Sequence, residues 1–256
     1  MHNILKEIVA RKKQDLVTLK KGMPPMPGYK PTPALRDFKK AILSSGDVAI
    51  ISEVKLASPT IASLGAADEI LQRVVAYEKA GANAISFITE KHYFAGDISF
   101  IPKIKETVSI PVLQKDFVID EYQIYEAKQA GSDALLLIAK LVDKERLQTF
   151  VLLCQELGIE PIVEINDEED LEKAISTKTN IIAVNARDLE TFVIDVERAC
   201  VLLKKIPDTF IKLGFSGIHS NHEVKKYKDA GVKGVLVGTE LMRSENVEEF
   251  ITNLLL

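Results

Sequence analysis

The sequence predicts an α/β fold, a (β/α)8 TIM barrel preceded by an N-terminal helical extension. Three observations predict it. Eight short apolar runs recur along the chain, with amphipathic helical stretches between them. Near-continuous apolar runs mark parallel strands buried on both faces. Several helical stretches end on one joint, seen in "KAGANA", "QAGSDA", "ELGIEP" and "DAGVKG", where a glycine closes the helix and the next strand starts almost at once. The length, 256 residues, suits one such barrel. An open doubly wound sheet is the alternative, and the glycine-rich dinucleotide loop that would support it is absent after the first strand.

The elements follow in order. Residues 1–48 read as the extension: a helix over 3–21, the proline-rich loop "GMPPMPGYKPTP", and a second helix in "ALRDFKKAILSSG", packed across one end of the barrel. Residues 49–256 read as the barrel, so the chain is a single domain. Strands are expected at 49–55, 83–89, 111–117, 134–140, 161–166, 181–187, 211–217 and 234–238. The intervening patterns, such as "DEYQIYEAKQAG" and "KERLQTFVLLCQELG", have helical spacing.

Composition narrows the function classes. Hydrophobic residues make up 46% of the chain, enough for a real core, and no stretch is long and apolar enough for a membrane span. The charged start "MHNILKEIVARKKQDL" is not a signal peptide, and Cys154 and Cys200 sit in helical apolar patterns as buried thiols; both point to the cytoplasm. With a net charge of −4 a broad nucleic-acid footprint is not expected, and "KKYKD" (225–229) reads as a solvated helix face. His2, His92, His219 and His222 lack metal-ligand spacing, and neither a metal nor an organic cofactor is expected.

Barrels of this kind carry their sites at the C-terminal ends of the strands. Those ends hold Glu53, Lys55, Lys115, Glu164, Asn185 and Arg187. Residues two apart share a strand face, so Glu53 with Lys55, Asn185 with Arg187, and Phe215 with Gly217 point together. Charged side chains are rarely buried unless paired, and so many at one barrel mouth read as an active site. Ser216, Gly217, Gly238 and Thr239 follow the last two strands, where small residues let backbone N–H groups close on a phosphate. Ser58, in the "ASPT" turn after the first strand, is a further hydroxyl for phosphate or substrate.

At these residues the chain resembles the indole-3-glycerol phosphate synthase family. The matching text is "SEVKLASP", "AISFITEKHYFAGD", "PVLQKDFVIDEYQIYEAKQAGSDALLLIAKLV", "PIVEINDEEDLEKA", "VNARDLETFVIDVE", "SGI" and "VLVGTELMR", in order from about residue 49 onward. The resemblance implies a decarboxylating lyase of tryptophan biosynthesis. Its substrate is the phosphorylated small molecule 1-(2-carboxyphenylamino)-1-deoxyribulose 5-phosphate, and other enzymes of that pathway are candidate partners. It implies Lys115 as general acid at the substrate ketone, Lys55 beside the anthranilate carboxylate, and Glu164 as acid or base in the dehydration. Glu53 and Asn185 would complete the polar network. Arg187, Phe94, Phe117, Leu189 and Phe215 would bind the substrate.

The chain also departs from the family pattern. Phe215 stands where the family ordinarily has glutamate, Leu56 where it has a basic residue, and Ile61-Ala62 where it has Lys-Gly. Ala186 replaces asparagine or serine, and Phe87 a smaller aliphatic. All fall at or just beyond strand ends, so they are expected to make the barrel mouth more apolar and less roomy. Two other readings stay open beside the working synthase: a diverged relative with another phosphorylated or aromatic ligand, and a non-catalytic binding protein.

Overall fold

Eight parallel strands close on themselves in sequence order in the computed structural model, which describes residues 4–21, 34–59 and 61–255. They are β1 (Ala49–Val54), β2 (Ala84–Ile88), β3 (Val112–Lys115), β4 (Ala134–Ile138), β5 (Glu160–Ile165), β6 (Ile181–Asn185), β7 (Ile211–Phe215) and β8 (Gly234–Val237). Each expected strand runs a residue or two past its ladder, where the chain leaves the sheet through residues such as Lys55, Thr89, Arg187 and Ser216. The helices are α1 (Ile4–Leu19), α2 (Phe38–Leu43), α3 (Ile70–Lys79), α4 (Phe100–Thr107), α5 (Glu121–Ala130), α6 (Lys144–Glu156), α7 (Glu168–Ile175), α8 (Val196–Lys205), α9 (Asn221–Asp229), α10 (Thr239–Arg243) and α11 (Val247–Leu255). Asp120, Asp143, Asp167 and Asp195 cap α5 to α8 through their carboxylates, and Ser220 with Glu223 forms a capping box on α9. The repeated helix-to-strand joint has the expected geometry: Gly81, Gly131, Gly158 and Gly231 all have positive φ.

Strand alternation divides the core in two. Odd residues of β1 and even residues of β2 face inward, and their neighbours face the helices. The interior cluster includes Ile51, Leu113, Ile162 and Leu213, and above them Leu136, Ala183 and Leu236. The outer cluster lies between sheet and helices and holds Val54, Phe87, Cys154 and Tyr227. Both cysteines are free and buried. Pairing offsets such as Glu53↔Ser86, Ser86↔Leu113 and Leu213↔Gly234 tilt the strands so that alternate strands share an interior layer. Ser86, Leu136, Ala183 and Leu236 form one layer from the even strands. Directly above it, the odd strands supply Glu53, Lys115, Glu164 and Phe215.

The extension spans both ends of the barrel, not one. Phe38 and Ile42 of α2 join the interior cluster with Ala49, Ala84 and Ile181, and so plug the N-terminal end. Helix α1 lies over the opposite mouth. Lys12 is 2.6 Å from Asp116, Tyr93 donates to Glu7 at 2.8 Å, and Lys91 and His92 both reach Asp15. The proline-rich loop at 22–33 lies outside the described residues. The second helix covers only Phe38–Leu43 of the expected stretch, because Asp37 caps it at one end and Ser44 ends it at the other.

Beneath the barrel, Lys105 and Asp133 form a buried ion pair at 2.5 Å. The same carboxylate accepts the Arg36 and Val112 backbone N–H groups at 2.6 and 2.8 Å. Replacing Lys105 by methionine keeps the stem but strands the carboxylate, so stability should fall by about 3 kcal/mol. Urea unfolding of Lys105→Met beside the original protein checks this; an unchanged midpoint would contradict it. No helix among the described residues is long and apolar enough to cross a membrane.

Candidate active site

A cavity of about 290 Å³ opens at the C-terminal end of the barrel. Its floor is formed by Glu53, Lys115 and Glu164 of the charged interior layer, with Leu136 and Leu236 of the layer beneath reaching it between them. Glu53 is buried and engages two lysines: Lys55 Nζ donates to Oε1 at 2.8 Å, and Lys115 Nζ lies 3.3 Å from Oε2. Burial alone would raise the Glu53 carboxyl, but the two ammonium groups outweigh it and hold it at about 2. For Lys115, burial favours the neutral amine, and the carboxylates of Glu53 and Glu164 more than reverse this. Glu164 behaves differently. Burial pushes its carboxyl above the ordinary range, against the pull of Lys115 and of a hydrogen bond from Asn185. Two neighbouring carboxylates driven in opposite directions are suited to different proton tasks.

Asn185 and Arg187 are set by a network behind the floor. Asn185 Nδ2 donates to Glu164 Oε1 at 3.1 Å, and its Oδ1 accepts the Arg187 backbone N–H at 3.0 Å. Asn166 Nδ2 donates to the Asn185 and Arg187 carbonyls at 2.9 and 3.1 Å, and Arg198 of α8 donates to the Asn166 carbonyl. The Arg187 guanidinium donates to the Phe192 carbonyl at 3.3 Å and lines the cavity.

One wall is apolar. Phe94 and Phe117 stand with ring centroids 6.1 Å apart, joined by Leu189, Ile61 and, from α1, Leu5 and Ile8. Glu90, fully buried, holds the Phe94 loop by accepting the N–H groups of His92, Tyr93 and Phe94 at 3.0, 2.7 and 3.2 Å. The opposite side is made of small residues. Ser216 and Gly217 both have positive φ, of 69° and 73°, an unusual backbone for serine. Tyr227 of α9 donates to the Phe215 and Ser216 carbonyls at 3.2 and 3.0 Å and pins that turn, and only glycine at 214 leaves room for its ring. Gly238 is a close approach of a second kind: a Cβ there would collide with Glu53 Oε1 and come within 3.1 Å of Lys55 Nζ.

The structure therefore gathers Glu53, Lys55, Lys115, Glu164, Asn185, Arg187, Phe94, Phe117, Leu189, Ser58, Ser216, Gly217, Gly238 and Thr239 around one cavity. Ser58 is partly engaged, since its hydroxyl accepts the Ile61 N–H at 3.1 Å. Sequence reasoning overlooked Leu5 and Ile8, although their i, i+3 spacing was visible on the first helix. It also overlooked Glu90, Asp116 and Tyr227, whose parts depend on contacts distant in sequence.

Comparison with known proteins settles the kinship. A family model for indole-3-glycerol phosphate synthase matches residues 5–254. The indole-3-glycerol phosphate synthase of Caldanaerobacter subterraneus subsp. tengcongensis is 40% identical, over 97% of each chain. That of Acetivibrio thermocellus is 38% identical over 97% of each, and that of Desulfotalea psychrophila 34% over 99% of each. The chain belongs to the indole-3-glycerol phosphate synthase family. A chain of the tryptophan synthase complex from Pyrococcus furiosus shares the fold, with a TM-score of 0.62 at 17% identity over 82% of this chain and 98% of that one.

Within the synthase family, the positions where this chain departs from the usual pattern were expected to crowd the mouth. Most do not. Leu56, Phe87 and Ala186 are each one residue out of step with an inward-facing neighbour, so they face the outer core; Phe87 packs 5.8 Å from Phe100. Ile61 alone among the departures lines the cavity, and Ala62 is exposed. Phe215 requires a correction as a substrate-binding residue. It points inward, but its ring is fully buried in the interior cluster and is not part of the cavity wall.

Proposed function

We propose that Lys115, Glu164 and the Glu53–Lys55 pair carry out the synthase reaction in this cavity. By family the chain is an indole-3-glycerol phosphate synthase, a decarboxylating lyase of tryptophan biosynthesis acting on a phosphorylated small molecule. One observation carries the site assignment: charged ends of three different strands converge on the floor of a cavity with an apolar wall on one side and small-residue turns on the other.

The substrate, 1-(2-carboxyphenylamino)-1-deoxyribulose 5-phosphate, has a matching layout. Its aromatic ring suits the wall of Phe94, Phe117 and Leu189. Its phosphate suits the turns at Ser216–Gly217 and Gly238–Thr239, with Ser58 at their edge. The ketone then falls above Lys115. As the ring carbon bearing the carboxylate attacks the ketone carbon, Lys115 passes a proton to the ketone oxygen. Lys55 faces the carboxylate, which leaves as carbon dioxide and returns its bonding pair to the ring. The new hydroxyl then takes up a proton and departs as water, and the carbon between it and the amine nitrogen gives up a proton so that its C–H pair forms the indole double bond. Glu164 moves a proton in this exchange, giving indole-3-glycerol phosphate. Glu53 holds the two lysines apart and charged, and Asn185 orients Glu164.

Mixing the purified protein with this substrate and following indole fluorescence tests the reading. Turnover at an ordinary enzyme rate is expected, and no product at any concentration would overturn it. Gly238→Ala supplies a second check. The added methyl must push Glu53 and Lys55 out of place, so kcat/KM should drop on the order of 10²-fold. Steady-state kinetics that match the original protein would contradict the assigned place of that pair.

A further inference from the structure

The floor layer is asymmetric. Taken around the barrel axis, its members are Glu53 on β1, Lys115 on β3, Glu164 on β5 and Phe215 on β7, so position 215 falls between the two acids in the layer and opposite the lysine. Register supports this order: Phe215 pairs with Asn185 on one side and Leu236 on the other. Both lysines lie against one acid, Lys55 at 2.8 Å from Glu53 Oε1 and Lys115 at 3.3 Å from Oε2. Glu164 receives the Asn185 amide on Oε1; its buried Oε2, like that of Glu53, has no hydrogen-bond partner, but only the Glu53 oxygen has a lysine within ion-pair distance.

We propose that Phe215 is a positioning residue, an apolar partition between the Glu53 and Glu164 carboxylates that reserves the movable proton of this layer for Glu164. An aromatic ring offers neither acid a hydrogen bond and admits no water between them. Glu53 therefore stays a lysine-bound anion, and Glu164 keeps a free oxygen able to take or give a proton. An amide at 215 could donate to that oxygen and steady the anion. A carboxylate at 215 would place a third negative group beside both acids and spread the proton among them.

The other groups acting on Glu164 come from three elements: Lys115 from β3, Glu53 from β1 and Asp170 from α7. Lys55 acts on Glu53, and Arg187 acts on Glu53 and Lys115. None of them lies on β7. Changing residue 215 thus alters Glu164 from a side where no other charge stands.

This inference rests on Glu164 moving a proton in the synthase reaction, so its test reads Glu164 directly as well as through turnover. Protein labelled with glutamate carrying 13C at the side-chain carboxyl is titrated by NMR, with the Glu164 signal assigned through Glu164→Gln. Phe215→Leu, Phe215→Gln and Phe215→Glu are compared with the original protein, and the pH profile of kcat is measured for each. Leucine, equally apolar, should leave the Glu164 midpoint where it is. Glutamine should lower it and glutamate raise it, each by about one unit, with the limb of the kcat profile set by Glu164 moving the same way. If the midpoint is the same in all three variants, the partition is overturned. If the midpoints move as expected but no variant or original protein makes product, the partition stands and the synthase reading falls. Should the glutamate variant fail to fold, the leucine and glutamine variants decide the matter between them.

Discussion

Lys115→Met is expected to lower kcat/KM by about 10⁴-fold, the upper end of what one general acid contributes. Methionine keeps the length and packing of the lysine stem, so the change removes charge and proton and little else. Lys115 reaches the cavity with its side chain 19% exposed, close enough to water to exchange its proton and buried enough for its charge to count. Glu53 would still hold Lys55 at 2.8 Å, which spares the variant an unpaired buried carboxylate. The barrel should therefore remain folded, and circular dichroism with urea unfolding would show it. A variant within tenfold of the original would remove Lys115 from the chemistry.

Glu53→Gln is expected to reduce kcat/KM by about 10³-fold and to alter the acid stability of the protein as well. Glutamine removes the carboxylate between Lys55 and Lys115 and leaves only the more distant Glu164 to act on Lys115, so both ammonium groups are misplaced and one is driven toward neutrality. The stability effect has a definite sign. The Glu53 carboxyl stands at about 2 in the folded chain against an ordinary 4.5, so its contribution is fully present above pH 4.5 and is lost as pH falls toward 2. At 1.36 kcal/mol per unit the contribution is about 3 kcal/mol. Glu164 has the opposite sign. Its raised carboxyl favours the folded state most below 4.5, and that advantage disappears as pH rises through the folded value. Urea unfolding between pH 2 and pH 6 should show the original protein losing stability toward the acid end and Glu53→Gln losing clearly less. Parallel curves for the two proteins would mean that Glu53 is not held by its lysines.

Architecture and chemistry were legible in the sequence to different depths. The barrel could be read because its signals are local. A buried parallel strand is an apolar run wherever it lies, and a helix that ends on Gly81, Gly131, Gly158 or Gly231 must turn there whatever its neighbours. That Glu53, Lys55, Lys115, Glu164 and Asn185 would converge on one barrel mouth was legible for a related reason. Charge at the end of a buried strand requires a partner, and strand parity shows which residues share a face.

Tertiary structure decided the rest. Both lysines lie on Glu53 and neither lies in contact with Glu164, a division set by the tilt of the strands and not by spacing along any one of them. The extension covers both ends of the barrel because α1 finds its ion-pair partners at one end and α2 its apolar socket at the other. Leu56, Phe87 and Ala186 looked like changes to the mouth, yet a shift of one residue turns each outward into the helix layer. Phe215 has the inward parity of a site residue, but its ring is fully buried in the interior cluster and does not line the cavity. Local patterns along the chain thus determined which elements form and which faces they bury. The depth of a side chain, and the acid a lysine chooses, depend on residues far apart in sequence that meet only when the barrel closes.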